Sequence, residues 1–255
     1  MPSVSVVIPA LNDADMLRRC LAALRDQLLL PDEVIVVDNG STDDTAQVAT
    51  DAGARVILEP VRGIWPAAAA GYDAASCDII ARLDADSVPP VDWLAHIEAE
   101  FVTTPEIDAL TGPGDFYDGN PILAWLGEAL YIGGYFWSMS IWLGHPPLFG
   151  SNFAMRRELW WRVRSQVHRE LREVHDDLDL SLHLGPEVIV AFDDTLRVGI
   201  SARPFSTWHG FSRRIEWAFG TLGMHLPEAT PWRRRAARKE YEEERGIAGF
   251  TSAGP

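Results

Sequence analysis

Over the first hundred residues, short β-branched runs alternate with stretches of helical composition. The runs are Val4–Ile8, Val34–Val37, Arg55–Leu58 and Ile79–Leu83; between and after them lie Ala14–Leu29, Thr42–Asp51, the alanine-rich Pro66–Ala75 and Trp93–Phe101. Alternation at this spacing predicts βαβ units and a mainly parallel, Rossmann-like sheet with helices on its faces. Asn12 is expected to cap the first helix, and Ser41 with Asp44 three residues on forms a loose capping box for the second. No basic segment precedes Val4–Ile8 and Asn12, Asp13 and Asp15 follow at once, so the run is expected to be a buried strand and not a leader.

The pattern changes in the middle of the chain. Leu123–Leu143 is a run of 21 residues whose only charge is Glu128. A simple membrane span would put the acidic clusters before and after it on opposite sides of a bilayer. Its glycines and its aromatics, Tyr131, Tyr135, Phe136 and Trp137 among them, suit a buried or interfacial helix pair, with contact at a membrane surface as the alternative. Beyond residue 150 the pattern is α+β-like: a strand at Asn152–Met155, a helical stretch over Arg156–Arg172, a strand pair Val188–Phe192 and Leu196–Ile200, and a charged, solvated helix Trp232–Arg245. No linker or repeat divides the chain. It is expected to be one domain, with a first half (1–115), a second half (116–230) and a C-terminal helix and tail (231–255).

Composition narrows the function classes. The 255 residues suffice for a sizeable core, and Cys20 and Cys77, both inside predicted elements, read as core residues in a reducing, cytoplasmic compartment. The net charge of −15 argues against nucleic acid. It is unevenly placed: residues 1–127 carry 21 Asp/Glu against 6 Arg, whereas residues 128–255 carry 16 of each sign. There is no G-x-G-x-x-G after the first strand, no phosphate loop ending in Gly-Lys-Ser/Thr and no G-x-S-x-G, which removes support for dinucleotide oxidoreduction, P-loop hydrolysis and the hydrolase triad.

Three elements carry chemistry. Asp84-x-Asp86 follows a buried strand and presents hard oxygens to Mg²⁺ or Mn²⁺, or else caps a helix. His175–Leu180 gathers three carboxylates in four residues, suited to a cation or to a general base, or to a helix N-terminus. Leu178, Leu180, Leu182 and Leu184 alternate as a strand would, and pattern alone does not decide between strand and helix there. His209, in Trp208-His-Gly210, is either a structural histidine or a nitrogen ligand beside the acidic site.

Val4-Ser-Val-Val-Ile-Pro-Ala-Leu-Asn-Asp13 and Asp32-Glu-Val-Ile-Val-Val-Asp-Asn-Gly-Ser-Thr-Asp-Asp-Thr45 resemble the opening of family 2 glycosyltransferases of the GT-A fold. Arg62-Gly63, Leu83-Asp-Ala-Asp-Ser87, Gly150–Arg157 and Asp176–Leu184 continue the similarity in order, so that it covers residues 4–215. The resemblance implies inverting transfer of a sugar from a nucleotide-diphosphate donor, with residues 1–115 as the nucleotide-sugar-binding half and residues 116–230 as the acceptor and catalytic half. It implies that Pro9, Ala10 and Leu11 line the base and ribose pocket, with Asp13 beside them. Asp38 would bond the base, Arg62 hold the nucleotide, Asp84 lie near the ribose and Asp86 bind the bridging cation. Asp177 would be the catalytic base, and His209 would complete the metal shell. Asp176 and Asp13 stand where the family commonly has Glu, and Ala70 where it commonly has Asn. Trp125, Trp137, Trp142, Trp160 and Trp161 are candidates to stack on sugars, although most are expected in the core. The alternatives are a sugar-nucleotide pyrophosphorylase, which would need a Gly-rich, Arg-bearing loop after the first strand, and a non-catalytic binding member of the same fold. The acceptor, whether glycan, lipid-linked sugar or small molecule, is not specified by these residues.

Overall fold

The computed structural model describes residues 1–118, 132–172, 174–203, 208–226 and 230–245, with backbone alone over 208–215. Strands β1 (Val4–Ala10), β2 (Glu33–Asp38), β3 (Arg55–Leu58) and β4 (Ile79–Arg82) alternate with helices α1 (Ala14–Arg25), α2 (Thr45–Asp51) and α3 (Ile64–Ala74), and α4 (Trp93–Thr103) follows β4. Strands β5 (Ala109–Thr111), β7 (Phe153–Arg156) and β8 (Val190–Phe192) complete a seven-stranded sheet of order β3-β2-β1-β4-β7-β5-β8. All pairings are parallel except those of β7, which runs against both β4 and β5. The α/β class and mainly parallel sheet are as expected.

Both faces of the sheet are dry. Val4, Val6, Ile8 and Val36 pack under α1 and α4, while Val7, Ile35 and Val37 point to the other face under α3. That second core holds Trp65, Tyr72, Phe153 and Trp160, with adjacent ring centroids 5.1 to 6.4 Å apart. Burying each such ring is worth about 2–3 kcal/mol. Trp160 is therefore a core residue, while Trp161 is exposed and its ring lies against Arg164.

The caps differ from expectation, because the loops cap one another. Asn12 takes a positive φ of 54° and its side-chain oxygen accepts from the Thr42 N–H at 2.7 Å, so it ties two loops and does not cap α1. Asp43 serves both helices, accepting from the Ala14 N–H at 3.2 Å and the Thr45 N–H at 3.1 Å.

The second half holds β6 (Gly114–Phe116), α5 (Gly133–Leu143), α6 (Arg157–Val163), α7 (Asp176–Leu182), β9 (Val198–Ile200), α8 (Trp208–His225) and α9 (Pro231–Arg245). The expected strand pair exists as strands but not as a pair: β8 joins the main sheet beside β5, and β9 pairs with β6 in a separate two-stranded sheet. The leucine alternation is resolved as helix α7. Leu178 and Leu182 face α5 and α8, while Leu180 and Leu184 enter the core beneath the sheet, so the helix is buried on two sides. Helix α9 is not wholly solvated. Arg234 donates to the main-chain oxygens of Leu182 (2.7 Å) and Leu184 (3.0 Å), and Arg238 to that of Val188 (2.7 Å), satisfying carbonyls at and beyond the end of α7. Of the apolar run Leu123–Leu143, residues 123–131, including Trp125, lie outside the described residues. The remainder forms α5, which buries Phe136 and Leu143 and exposes Trp137 and Ile141. Among the described residues no helix is long and apolar enough to cross a membrane.

Candidate functional site

Parallel strands deliver the residues at their carboxyl ends to one edge of the sheet. Here β1 and β4 are neighbours, and the segments at and after their ends meet the N-terminus of α7 across a cavity of about 560 Å³. Of the residues expected from sequence, Pro9, Ala10, Leu11, Asp13, Asp84, Asp86 and Asp177 line it. Asp38 does not; it is buried at the end of β2, where its Oδ1 accepts from the Ser41 N–H at 3.0 Å, and its neighbour Asn39 reaches the cavity instead. Arg62 is exposed, outside the cavity wall, and donates to the Gly40 carbonyl at 2.9 Å. The side chain of His209 lies outside the described residues.

Arg82 organises the site, and sequence reasoning gave it no role. It closes the otherwise apolar β4 with a side chain only 1% exposed. Its Nη1 donates to Asp176 Oδ2 and its Nη2 to Asp84 Oδ1, each at 2.8 Å. One guanidinium thus joins the Asp-x-Asp segment to the start of α7. Ser151 Oγ donates to the other oxygen of Asp84 at 2.6 Å. Burial, only partly offset by Arg82, pushes the Asp176 carboxyl up to about 6. The signal in the sequence was an arginine inside Ile-Ile-Ala-Arg, a charge that a fully buried strand tolerates only when paired.

Asp177 is held open-faced by main-chain donors. Gly150 N–H donates to its Oδ2 at 2.9 Å and Leu178 N–H to its Oδ1 at 2.8 Å. A Cβ on Gly150 would stand 3.1 Å from both Asp177 Oδ2 and Arg82 Nη1, so glycine is what allows the backbone this close. On the opposite side, burial and the charge of Asp84 raise the Asp86 carboxyl to about 6. Arg203 sits against it, with Nη2 at 2.8 Å from Asp13 Oδ1 and 3.5 Å from Asp86 Oδ2. Ser151, Arg172, Arg203 and Trp217 complete the walls, also without a role assigned from sequence.

Buried carboxylates that resist ionisation are sites where a further positive charge is favourable. Asp86, backed by Asp84, offers hard oxygens of the kind Mg²⁺ and Mn²⁺ prefer. Among the described residues the sets of three or more donor atoms within 4.8 Å of one another lie elsewhere, so an ion at Asp86 would be held in an open site and not in a protein cage. The residues present fit an ion that keeps waters and substrate phosphates in its shell.

The order β3-β2-β1-β4 continued by an antiparallel strand, with helices on both faces, is the GT-A type of α/β transferase fold. Glucosyl-3-phosphoglycerate synthase from Mycobacterium tuberculosis, solved with Mg²⁺ and uridine diphosphate, matches with a TM-score of 0.62 at 25% identity, over 89% of this chain and 79% of that one. Mannosyltransferase PcManGT from Pyrobaculum calidifontis, solved with GDP-Man and Mn²⁺, matches with a TM-score of 0.62 at 20% identity, over 97% and 76% of the two chains. An uncharacterized glycosyltransferase of M. tuberculosis is 42% identical over 98 residues, which is 38% of this chain and 43% of that relative's length. The description Glycosyl transferase family 2 matches residues 5–164, and the chain belongs to that family.

Proposed function

We propose that the protein moves a sugar from a nucleotide-diphosphate donor to an acceptor hydroxyl in one displacement that inverts the anomeric carbon, with Asp177 as general base. The observation that carries this reading is the meeting of Asp84 and Asp86 with Asp177 around one cavity, tied through Arg82 and Asp176. The bond that breaks joins the anomeric carbon to the diphosphate, and the bond that forms joins that carbon to the acceptor oxygen. Asp177 takes the proton the acceptor loses; its carboxylate is fixed by two N–H donors and needs no reorientation. A divalent cation held by Asp86, with His209 as a proposed further ligand, supplies charge neutralisation for the leaving diphosphate. Pro9, Ala10 and Leu11 form the proposed nucleoside wall. Asp13, Asp38 and Arg62 would act from the loops beside it, directly or by holding those loops in place. Both solved relatives carry a nucleotide with Mg²⁺ or Mn²⁺, which supports a nucleotide donor and a divalent ion here.

The test is a panel of nucleotide sugars followed by calorimetry and turnover on the same protein. At least one is expected to bind with Mn²⁺ or Mg²⁺, and chelation is expected to weaken it about a hundredfold. Binding to none, with metal present, overturns the reading; binding without transfer to any acceptor replaces it with a binding module. Helix α5 begins at the cavity and exposes Trp137 and Ile141 (61% and 40%), an apolar face suited to a bilayer surface. Lipid-linked acceptors in anionic vesicles therefore belong in the acceptor screen.

A further inference from the structure

Beyond the donor cavity, α7 carries a second centre. Asp179 lies two residues past Asp177, with a side chain 0% exposed, and three imidazoles converge on it. His168 Nδ1 is 2.8 Å from Asp179 Oδ1, His225 Nε2 is 3.0 Å from the same oxygen, and His183 Nδ1 is 3.7 Å from it. The four donor atoms lie within 4.8 Å of one another, and none of the four residues lines the donor cavity. We propose that His168, Asp179, His183 and His225 bind a transition-metal ion of the zinc type, as a structural site distinct from the one at Asp86.

The chemistry favours a metal over a hydrogen-bonded hub. Hydrogen bonds to Oδ1 account for His168 and His225 but not for His183, whose Nδ1 stands 3.7 Å from that oxygen, although all three rings are packed with centroids 4.7 to 5.2 Å apart. A cation instead uses the unprotonated lone pairs of all three. Donors around a tetrahedral ion with bonds of about 2.1 Å stand about 3.4 Å apart, in the middle of the observed separations. His183 Nδ1 also lies 2.8 Å from the Asp179 main-chain oxygen, a bond it gives up on ligation. The outer shell is in place: Trp65 Nε1–H and His168 N–H donate to Asp179 Oδ2 at 2.8 and 2.9 Å, which aims Oδ1 at the imidazoles. Three nitrogens and one oxygen suit Zn²⁺ or Co²⁺, whereas Asp86 offers the hard oxygen of a Mg²⁺ or Mn²⁺ site. His168, 39% exposed, gives the ion a way in. Once bound, the ion would pin three segments: the loop carrying Arg172 and His175, helix α7, and the last turn of α8, whose Trp217 and Ala218 line the cavity.

The probe is Co²⁺, then Zn²⁺, added to the chelator-treated protein with no nucleotide present. One Co²⁺ per chain is expected, with the intense visible absorption of a four-coordinate site, displaced by one Zn²⁺. His168→Gln and His225→Gln are each expected to lower affinity at least tenfold. Asp86→Asn is expected to leave it unchanged, which separates this site from the proposed donor site. Affinity unaltered in the double histidine variant, affinity lost in Asp86→Asn, or a six-coordinate spectrum overturns the proposal. Zinc-edge X-ray absorption on the wild type needs no variant: a shell of about three imidazoles and one oxygen supports the site, and a shell of oxygens alone overturns it.

Discussion

Asp177 and Asp179 differ by two positions on one seven-residue helix and live in different chemistries. Asp177 is half-buried, faces a cavity and is fixed by main-chain N–H groups. Asp179 is sealed. Burial alone would raise its carboxyl, but hydrogen bonds from His225, His168 and Trp65 hold it well below the usual range. Helix periodicity explains the split, since residues two apart point some 200° from each other around the axis. An acid cluster read as one unit, Asp176-Asp177-x-Asp179, is therefore three devices. The first anchors Arg82, the second is the proposed base, and the third collects imidazoles.

The largest effect that can break this contrast is on turnover. Asp177→Asn is expected to lower kcat roughly 100- to 10,000-fold while donor affinity holds, which steady-state kinetics and calorimetry together would show. Asp179→Asn is expected to act on folding instead, costing about 3 kcal/mol in urea denaturation because it takes the charge from four donors. If Asp177→Asn keeps wild-type turnover, or if Asp179→Asn costs only catalysis, the division of roles fails. Of similar size is the effect of Arg82→Met. It leaves Asp84 and Asp176 facing each other without the guanidinium between them, and is expected to cost about 3–5 kcal/mol, read from the denaturation midpoint. A midpoint within error of the wild type would mean the two carboxylates do not depend on that cation.

The two regions were not equally legible. The βαβ rhythm of the first hundred residues follows from local composition, so strands β1 to β4 fell within two residues of their expected starts. Asp84 and Asp86 are placed at the cavity by the strand-end rule alone. Beyond residue 150, contacts are long-range and the pattern misleads. Leu178 to Leu184 alternate because the helix is buried on two sides, and β8 and β9 look like a hairpin but pair with β5 and β6. The histidine centre was invisible for the same reason. His168, Asp179 and His225 are brought together by the packing of a loop and two helices, and only Asp179 and His183, four apart on one helix face, had a local signature. Asp38 illustrates the reverse: its place at a strand end is as expected, yet its carboxyl is turned to its own loop.

The smallest effect, and the one that sharpens the comparison most, is the response to acid. Asp176, raised to about 6 by burial, keeps its proton in the folded protein where the unfolded chain, with the ordinary carboxyl value near 3.8, has lost it. Between those values the folded state binds more protons, so stability from this group is fully present below about pH 4 and lost as pH rises through about 6. Asp179 has the opposite sign. Its depressed carboxyl contributes stability above the unfolded value, lost only as pH falls below the ordinary carboxyl range. Urea midpoints of the wild type against Asp176→Asn and against Asp179→Asn, taken from about pH 7 down to about pH 4, separate the two. The first difference is expected to move in favour of the wild type as acid is added, and the second to stay level until the most acidic points. Two differences that shift in the same direction would mean that burial, and not the partners each side chain has found, sets both carboxyls.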